Sequence, residues 1–382
     1  MNFDEFGKDM LGGSGRPSSF RSGGAGSGHS GNSFADRHAS MMSSTPREPS
    51  SGLWLAWQIA YPICLGLLNF CLVVGAWLWF KHPLYLFRLL RWLQTRRAGL
   101  RCRQIQLDGT VYRIAEKGRA DKFRTSMLLI HGLADDVSSW NSFVELIDAQ
   151  AEHCLAVELP GHGGSLASSA EEFDLEPLAR RVRSLVCAAG YEKQPMHVIG
   201  YSMGACVAGA YAALYPEQAD LLTVAAPLMR QPSATEEANT ELLHRLSSWL
   251  APASYDELTV ALRHRAYRPV PVASQVLTGM LEDRLPKLEF HRALLANCFE
   301  EANCNILLRL AEQITAATHI IWGKQDELSL VSLAGQLQKS LPNVCQSDIL
   351  DECGHSLELE CPANFFGLVY KFRKNQSLKK FS

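Results

Sequence analysis

Two hydrophobic patterns divide this chain. From residue 53 to 80 apolar side chains run almost without a break, and beyond residue 100 short apolar runs alternate with stretches whose apolar positions recur at helical spacing. The short runs predict strands at 102–107, 111–115, 126–130, 154–157, 196–199, 221–224, 319–322 and 347–350. With helical patterns between most of them, they imply an α/β class with a mainly parallel eight-stranded sheet. Between residues 227 and 315 the alternation stops, and helical patterns appear at 237–250, 255–263, 272–281 and 290–314. This insertion after the sixth strand, at about 228–315, is expected to form a helical cap over the sheet.

The first pattern reads as one transmembrane helix over 53–80, with Trp54, Trp57, Trp77 and Trp79 grouped near its ends as interfacial anchors. Gln58, Pro62 and Asn69 are tolerable inside such a span. It lies behind a Gly/Ser-rich tail, 1–52, which has too few large apolar groups to offset the entropy of ordering and is expected to be disordered. A cleavable signal would begin near residue 1, so an uncleaved anchor is expected. The segment 81–103 carries Lys81, Arg88, Arg91, Arg96, Arg97, Arg101 and Arg103, with no acid until Asp108. That excess puts the domain at 104–382 in the cytosol. Leu84, Tyr85, Leu86, Phe87, Leu89, Leu90, Trp92 and Leu93 interleave with the basic residues, which suits a helix on an anionic membrane surface as well as a plain stop-transfer flank.

The 382 residues, 47% hydrophobic, suffice for one large α/β domain. A formal net charge of -2 gives no reason to expect nucleic acid as a partner. The 11 cysteines include no Cys-x-x-Cys pair, so they read as reduced, mostly buried thiols. No metal-ligand cluster, phosphate loop or dinucleotide fingerprint occurs, and no metal or cofactor is expected.

Chemistry enters at Gly200-Tyr201-Ser202-Met203-Gly204, where a predicted strand meets an Ala-rich helical stretch. This arrangement is a nucleophile elbow, whose strained turn lifts the serine hydroxyl above the sheet. A serine needs a base in reach and a carboxylate to orient that base, in chain order Ser, then Asp or Glu, then His. Asp326, after the strand at 319–322, and His355, after the strand at 347–350, fit both the order and the strand-end position. Asp348 and Asp351 are rival carboxylates, placed in or beside the strand that carries the histidine. The backbone N–H groups of Met203 and Leu133, the latter just past Ile130-His131-Gly132, are the expected oxyanion donors. The turn from Glu158 to Ser165 reads as a shaping loop, and His153, His197 and His319 read as core residues in strands.

Ile130-His131-Gly132-Leu133, Pro160-Gly161-His162-Gly163, the elbow, Trp322-Gly323-Lys324-Gln325-Asp326 and Cys353-Gly354-His355-Ser356 together resemble the lipase branch of the α/β-hydrolases. With the anchor and its basic aromatic flank, the chain is similar to the membrane-bound monoacylglycerol lipases of that branch. The resemblance implies hydrolysis of monoacylglycerols of the 2-arachidonoylglycerol type, and of some lysophospholipids, with Ser202, Asp326 and His355 as nucleophile, acid and base. It places the oxyanion donors on Leu133 and Met203. The chain departs from the pattern in its long tail, in Ala205 where a further glycine is frequent, and in Glu158 where an Asp is common. Related hydrolases with an acyltransferase step carry an Asp five residues after the histidine. Here that position is Glu360, which favours hydrolysis.

The expected activity is that of an anchored lipid esterase, since an acyl chain partitions into the membrane beside a tethered site. Leu277, Met280 and Leu281 are candidates for the acyl pocket, or else ordinary helix core. Two other readings stay open: a thioesterase or peptidase on the same triad, and a membrane adaptor that keeps the fold without catalysis.

Overall fold

Strands that are apolar on both faces must be covered on both, and the middle of this sheet is of that kind. A computed structural model describes residues 51–121, 124–167, 174–231 and 235–379. The predicted tail lies outside the described residues, apart from its last two, which begin a helix.

The strands are β1 (Arg101–Leu107), β2 (Thr110–Lys117), β3 (Ser126–Ile130), β4 (Cys154–Val157), β5 (Met196–Tyr201), β6 (Ala219–Ala225), β7 (Ala317–Gly323) and β8 (Val344–Leu350). They form one sheet in the order β1-β2-β4-β3-β5-β6-β7-β8. The pairs β1/β2 and β2/β4 are antiparallel and all others parallel, so β1 and β2 make an antiparallel edge on a parallel core. All residues of β3, β4 and β5 are buried, whereas the edge strand β8 is only partly covered. The eight expected strands are present, β3 and β4 with the expected bounds and the others one to three residues longer because the ladder extends past the apolar run.

The helices in chain order are α1 (Ser51–Lys81), α2 (Pro83–Arg97), α3 (Asn141–Glu145), α4 (Leu175–Ala188), α5 (Met203–Leu214), α6 (Glu236–Leu250), α7 (Tyr255–Arg265), α8 (Ser274–Arg284), α9 (Leu288–Cys298), α10 (Ile306–Arg309), α11 (Ser332–Ser340), α12 (Leu357–Glu360) and α13 (Pro362–Lys379). Helices α6 to α10 all fall between β6 and β7. The helical pattern at 290–314 does not form one helix: Asn305 adopts a left-handed φ of 56°, and α9 stops at Cys298. The break coincides with a tertiary contact, since the Asn303 side chain accepts the Leu175 amide and donates to Asp174.

The chain divides into two units, the first ending at Phe70 and the second running from Cys71 to Ser382. The described part of the first is the start of α1. Trp54–Lys81 in α1 is 28 residues long and apolar enough to cross a membrane, and none of it is buried.

Pro83 has no N–H to continue the ladder of α1 and suits the first turn of a new helix, so α2 starts there. Leu86 and Thr95 of α2 are buried, while Tyr85, Leu89, Trp92 and Leu93 are exposed. Two of its cations reach buried carboxylates, Arg91 from a half-buried position and Arg88 while staying exposed. Arg88 pairs with Asp283 at 2.7 Å, and Arg91 pairs with Asp136 and with Asp283. Helix α8 approaches closely because Gly279 offers no side chain; a Cβ there would stand 2.0 Å from the Pro83 carbonyl oxygen. The basic segment read at 81–103 is therefore a docked helix followed by the start of β1, with Arg88 and Arg91 committed to protein carboxylates.

Candidate active site

Ser202 follows the last residue of β5 with φ 56° and ψ -131°, in the left-handed half of the map that non-glycine residues occupy only under constraint. The constraint is packing. A Cβ on Gly204 would lie 2.3 Å from the His131 carbonyl oxygen and 2.4 Å from that of Ile130, so the first turn of α5 presses directly on the end of β3. The Ser202 amide donates to the Ala225 carbonyl at 2.9 Å, and the Leu228 amide donates back to Ser202 at 3.2 Å.

His355 Nε2 lies 2.9 Å from Ser202 Oγ, and His355 Nδ1 lies 2.9 Å from Asp326 Oδ2. The other Asp326 oxygen accepts the amides of Leu328 at 2.8 Å and Ser329 at 2.9 Å. Those two bonds fix the carboxylate plane, which points its free oxygen at the imidazole. All three side chains are buried, Ser202 at 3% exposure and His355 at 1%. The residues come from the C-terminal ends of β5, β7 and β8, brought together although 153 positions separate Ser202 from His355.

The rivals lie elsewhere. Asp348 accepts from His319 at 2.8 Å, and Asp351 pairs with Lys324 at the surface. His197 bonds Thr223 at 2.7 Å, and His153, just before β4, bonds Glu116 at 3.0 Å. These three histidines are buried structural residues.

Met203 follows the serine in the chain, and Leu133 follows Gly132. Gly132 is in contact with the serine, since a Cβ there would sit 3.1 Å from Ser202 Cβ and 2.9 Å from the Tyr201 ring. Met203 opens α5, and the first amides of a helix have no intrahelical acceptor. The loop carrying Leu133 is set by His131, whose Nδ1 donates to the Gly132 carbonyl at 2.8 Å while Nε2 accepts the Leu159 amide at 3.0 Å. Both roles require a neutral ring, and burial holds its pKa below the usual value. The glycine-rich turn is shaped by Glu158, which accepts the Gly164 amide at 2.6 Å. Burial and the Asp136 charge raise the Glu158 carboxyl to about 7 against the opposing pull of Arg113.

Beside this cluster stands a polar network that sequence reasoning missed. Asp135 accepts from Arg265 at 2.7 Å, from Tyr201 Oη at 2.7 Å and from Arg284 at 3.4 Å. Burial opposes ionisation of Asp135, yet Arg265 and Arg284 win and hold it at about 2. Two successive acids, Asp135 and Asp136, just past an apolar strand were the available signal. Glu358 is also buried, and neither carboxylate oxygen has a hydrogen-bond partner among the described residues; burial and Asp135 push its pKa well up.

A cavity of about 250 Å³ adjoins the cluster, walled by Phe87 and Leu90 of α2, Val276 and Met280 of α8, and Ala134. Arg91, Arg284 and Lys287 add positive charge to the wall, and Asp135, Asp136 and Asp283 add negative charge. Of the three expected pocket residues Met280 lines it, while Leu277 is buried and Leu281 half-buried away from its wall. Neither Ser202 nor His355 reaches it.

A profile of the alpha/beta hydrolase family matches residues 127–368. Monoacylglycerol lipase ABHD6 of Homo sapiens is 31% identical over 297 residues, covering 76% of this chain and 87% of its own length. The protein of that name from Xenopus laevis, abhd6-A, is 29% identical over 324 residues, covering 81% of this chain and 95% of its own. Among solved structures, a bacterial membrane phospholipase A superposes with a TM-score of 0.70 at 24% identity, covering 82% of this chain and 98% of that one. A putative lipase from Acinetobacter baumannii gives a TM-score of 0.67 at 23% identity, covering 76% and 97%. At these identities the structural likeness carries the fold alone.

Proposed function

We propose, from the premise that the chain belongs to the alpha/beta hydrolase family and is a carboxylic ester hydrolase, that it cleaves the ester bond of monoacylglycerols through an acyl-enzyme on Ser202. The observation that carries the reading is the continuous line Ser202 Oγ, His355 Nε2, His355 Nδ1, Asp326, with both hydrogen bonds at 2.9 Å.

In the first half-reaction Ser202 Oγ attacks the ester carbonyl carbon as His355 Nε2 takes its proton. Asp326 keeps the other ring proton on Nδ1 and stabilises the imidazolium. The tetrahedral oxyanion is met by the N–H groups of Met203 and Leu133, each such donor commonly worth about 10²- to 10³-fold in rate. Collapse expels glycerol, which receives the proton from His355. Water then repeats the cycle on the acyl-serine and releases the fatty acid. Because Ser202 is buried, the helices between β6 and β7 act as a cap that opens for substrate.

The relatives named monoacylglycerol lipase support the substrate class. Lysophospholipids are a second class, for which Lys287 on the cavity wall supplies a cationic partner. The 28-residue apolar helix supports a membrane anchor. Exposed Tyr85, Leu89, Trp92 and Leu93 on α2 support a domain lying against lipid, and the basic flank supports its facing the cytosol. An acyl chain would then enter from the α2 side without crossing water.

The test is fluorophosphonate labelling of membranes carrying the full chain, followed by turnover of glycerol monoesters. Labelling that Ser202→Ala abolishes, together with release of fatty acid from monoacylglycerols, is the expected result. Labelling retained in Ser202→Ala would move the nucleophile, and labelling without glycerol-ester turnover would move the substrate class to thioesters or peptides.

A further inference from the structure

Cys353 and Cys361 bracket the loop that carries His355, and their Sγ atoms lie 2.6 Å apart. That is closer than two sulfurs rest without a bond, and about half an ångström beyond a disulfide of about 2.05 Å. Eight positions separate them, a spacing with no Cys-x-x-Cys signature, which is why the sequence left them as unrelated core thiols. Cys353 is fully buried and Cys361 half-buried. Cys361 is thus the more exposed residue of the two.

We propose that Cys353 and Cys361 form a reversible oxidation site for hydroperoxides, whose disulfide staples the His355 loop. The step divides in two. The Cys361 thiol loses its proton to water, and the thiolate attacks the hydroxyl-bearing oxygen of a hydroperoxide and becomes a sulfenic acid, while the O–O bond breaks and the alkoxide or hydroxide leaves, taking that proton back as alcohol or water. Cys353 sulfur then attacks the Cys361 sulfur, the S–O bond breaks, and the departing hydroxide takes the Cys353 proton as water. Two thiols lose two electrons and the hydroperoxide gains them. A small thiol or dithiol reductant reverses the reaction by exchange. Contact with Cys361, then burial, then the charges of Glu360 and Glu358 push the Cys353 thiol up, so it keeps its proton until Cys361 has been oxidised.

The loop is already ordered for closure. Cys353 N–H donates to Gln325 Oε1 at 3.0 Å, and the Gln325 amide donates to the Cys353 carbonyl at 3.0 Å. Glu360 accepts the amides of Gly354 at 3.0 Å and Tyr267 at 2.7 Å. The bond therefore forms with a small sulfur displacement, and it restrains the segment between β8 and α13 against opening. This inference does not depend on the substrate proposed above.

The experiment uses the full chain in membranes, treated with hydrogen peroxide, blocked with a thiol alkylator and digested with a protease that cuts after glutamate. Cleavage after Glu358 or Glu360 puts the two cysteines on separate peptides that stay together only through the disulfide. The expected result is that linked pair, lost on dithiothreitol, with a melting temperature about 5 °C higher in the oxidised protein and unchanged by oxidant in Cys361→Ser. Alkylation of both cysteines after peroxide, or Cys361 as sulfinic acid beside a free Cys353, overturns the proposal. A linked pair without the thermal shift overturns the staple.

Discussion

The backbone carbonyl of Arg265, the last residue of α7, accepts the amide of His355 at 3.1 Å and of Ser356 at 3.0 Å. Its guanidinium, on the other side, pairs with buried Asp135 beside the Leu133 loop. One residue of the inserted helices thus holds the candidate base with its main chain and the candidate oxyanion loop with its side chain. Any movement of α7 is felt at both.

Arg265→Gln should therefore cost about 3–5 kcal/mol, because it strands a buried carboxylate that sits at about 2 today. Thermal unfolding measures it, and adding Asp135→Asn should restore part of the loss, since the pair rather than either residue is at stake. A single variant that melts like the parent would mean that Tyr201 and Arg284 already satisfy Asp135.

Asp326→Asn should keep the fold and lower turnover by about 10³- to 10⁴-fold, through loss of control over which imidazole nitrogen carries the proton. Ester hydrolysis against circular dichroism separates the two quantities. Near-normal activity would transfer the orienting role to another carboxylate.

Gly204→Ala should prevent normal folding, because its Cβ would meet two carbonyl oxygens of β3 and the residue after it at under 2.5 Å. Gly335→Ala is the contrast. That glycine is in α11 with open space around it, and alanine there should stabilise by about 0.5–1 kcal/mol. Soluble yield in detergent reads the first, chemical denaturation the second.

His291 is held neutral: burial, Arg284 and Lys287 push its pKa down to about 3, and it donates to the Gly161 carbonyl at 3.3 Å. A depressed histidine is protonated more readily unfolded than folded. Its contribution is whole above about pH 6.5 and is lost as pH falls toward 3, at about 1.4 kcal/mol per pH unit. In His291→Gln, unfolding followed from pH 7 to 4 should show a slope shallower by about one proton. Equal slopes would mean that the ring titrates without unfolding.

How much was legible is best seen in particular elements. The strands appeared because alternation between buried runs and helical spacing is a local property, and the elbow because a tight strand-to-helix turn demands its glycines in sequence. The order Ser202, Asp326, His355 followed from the same strand-end positions, and the membrane-length helix from uninterrupted apolar residues. Helix α2 was half legible: its apolar and basic positions were plain, but not that Arg88 and Arg91 would turn to Asp283 and Asp136.

What the chain determines alone is which positions must leave water and where its turns must be tight, since neighbouring residues decide both. Tertiary structure decided which unforeseen distant groups meet: Asp135 with Arg265, Arg91 with Asp136, Cys353 with Cys361. Periodicity tells which face of an element is buried and is silent on what covers it. For charges, imidazoles and thiols, the covering partner is what sets the chemistry.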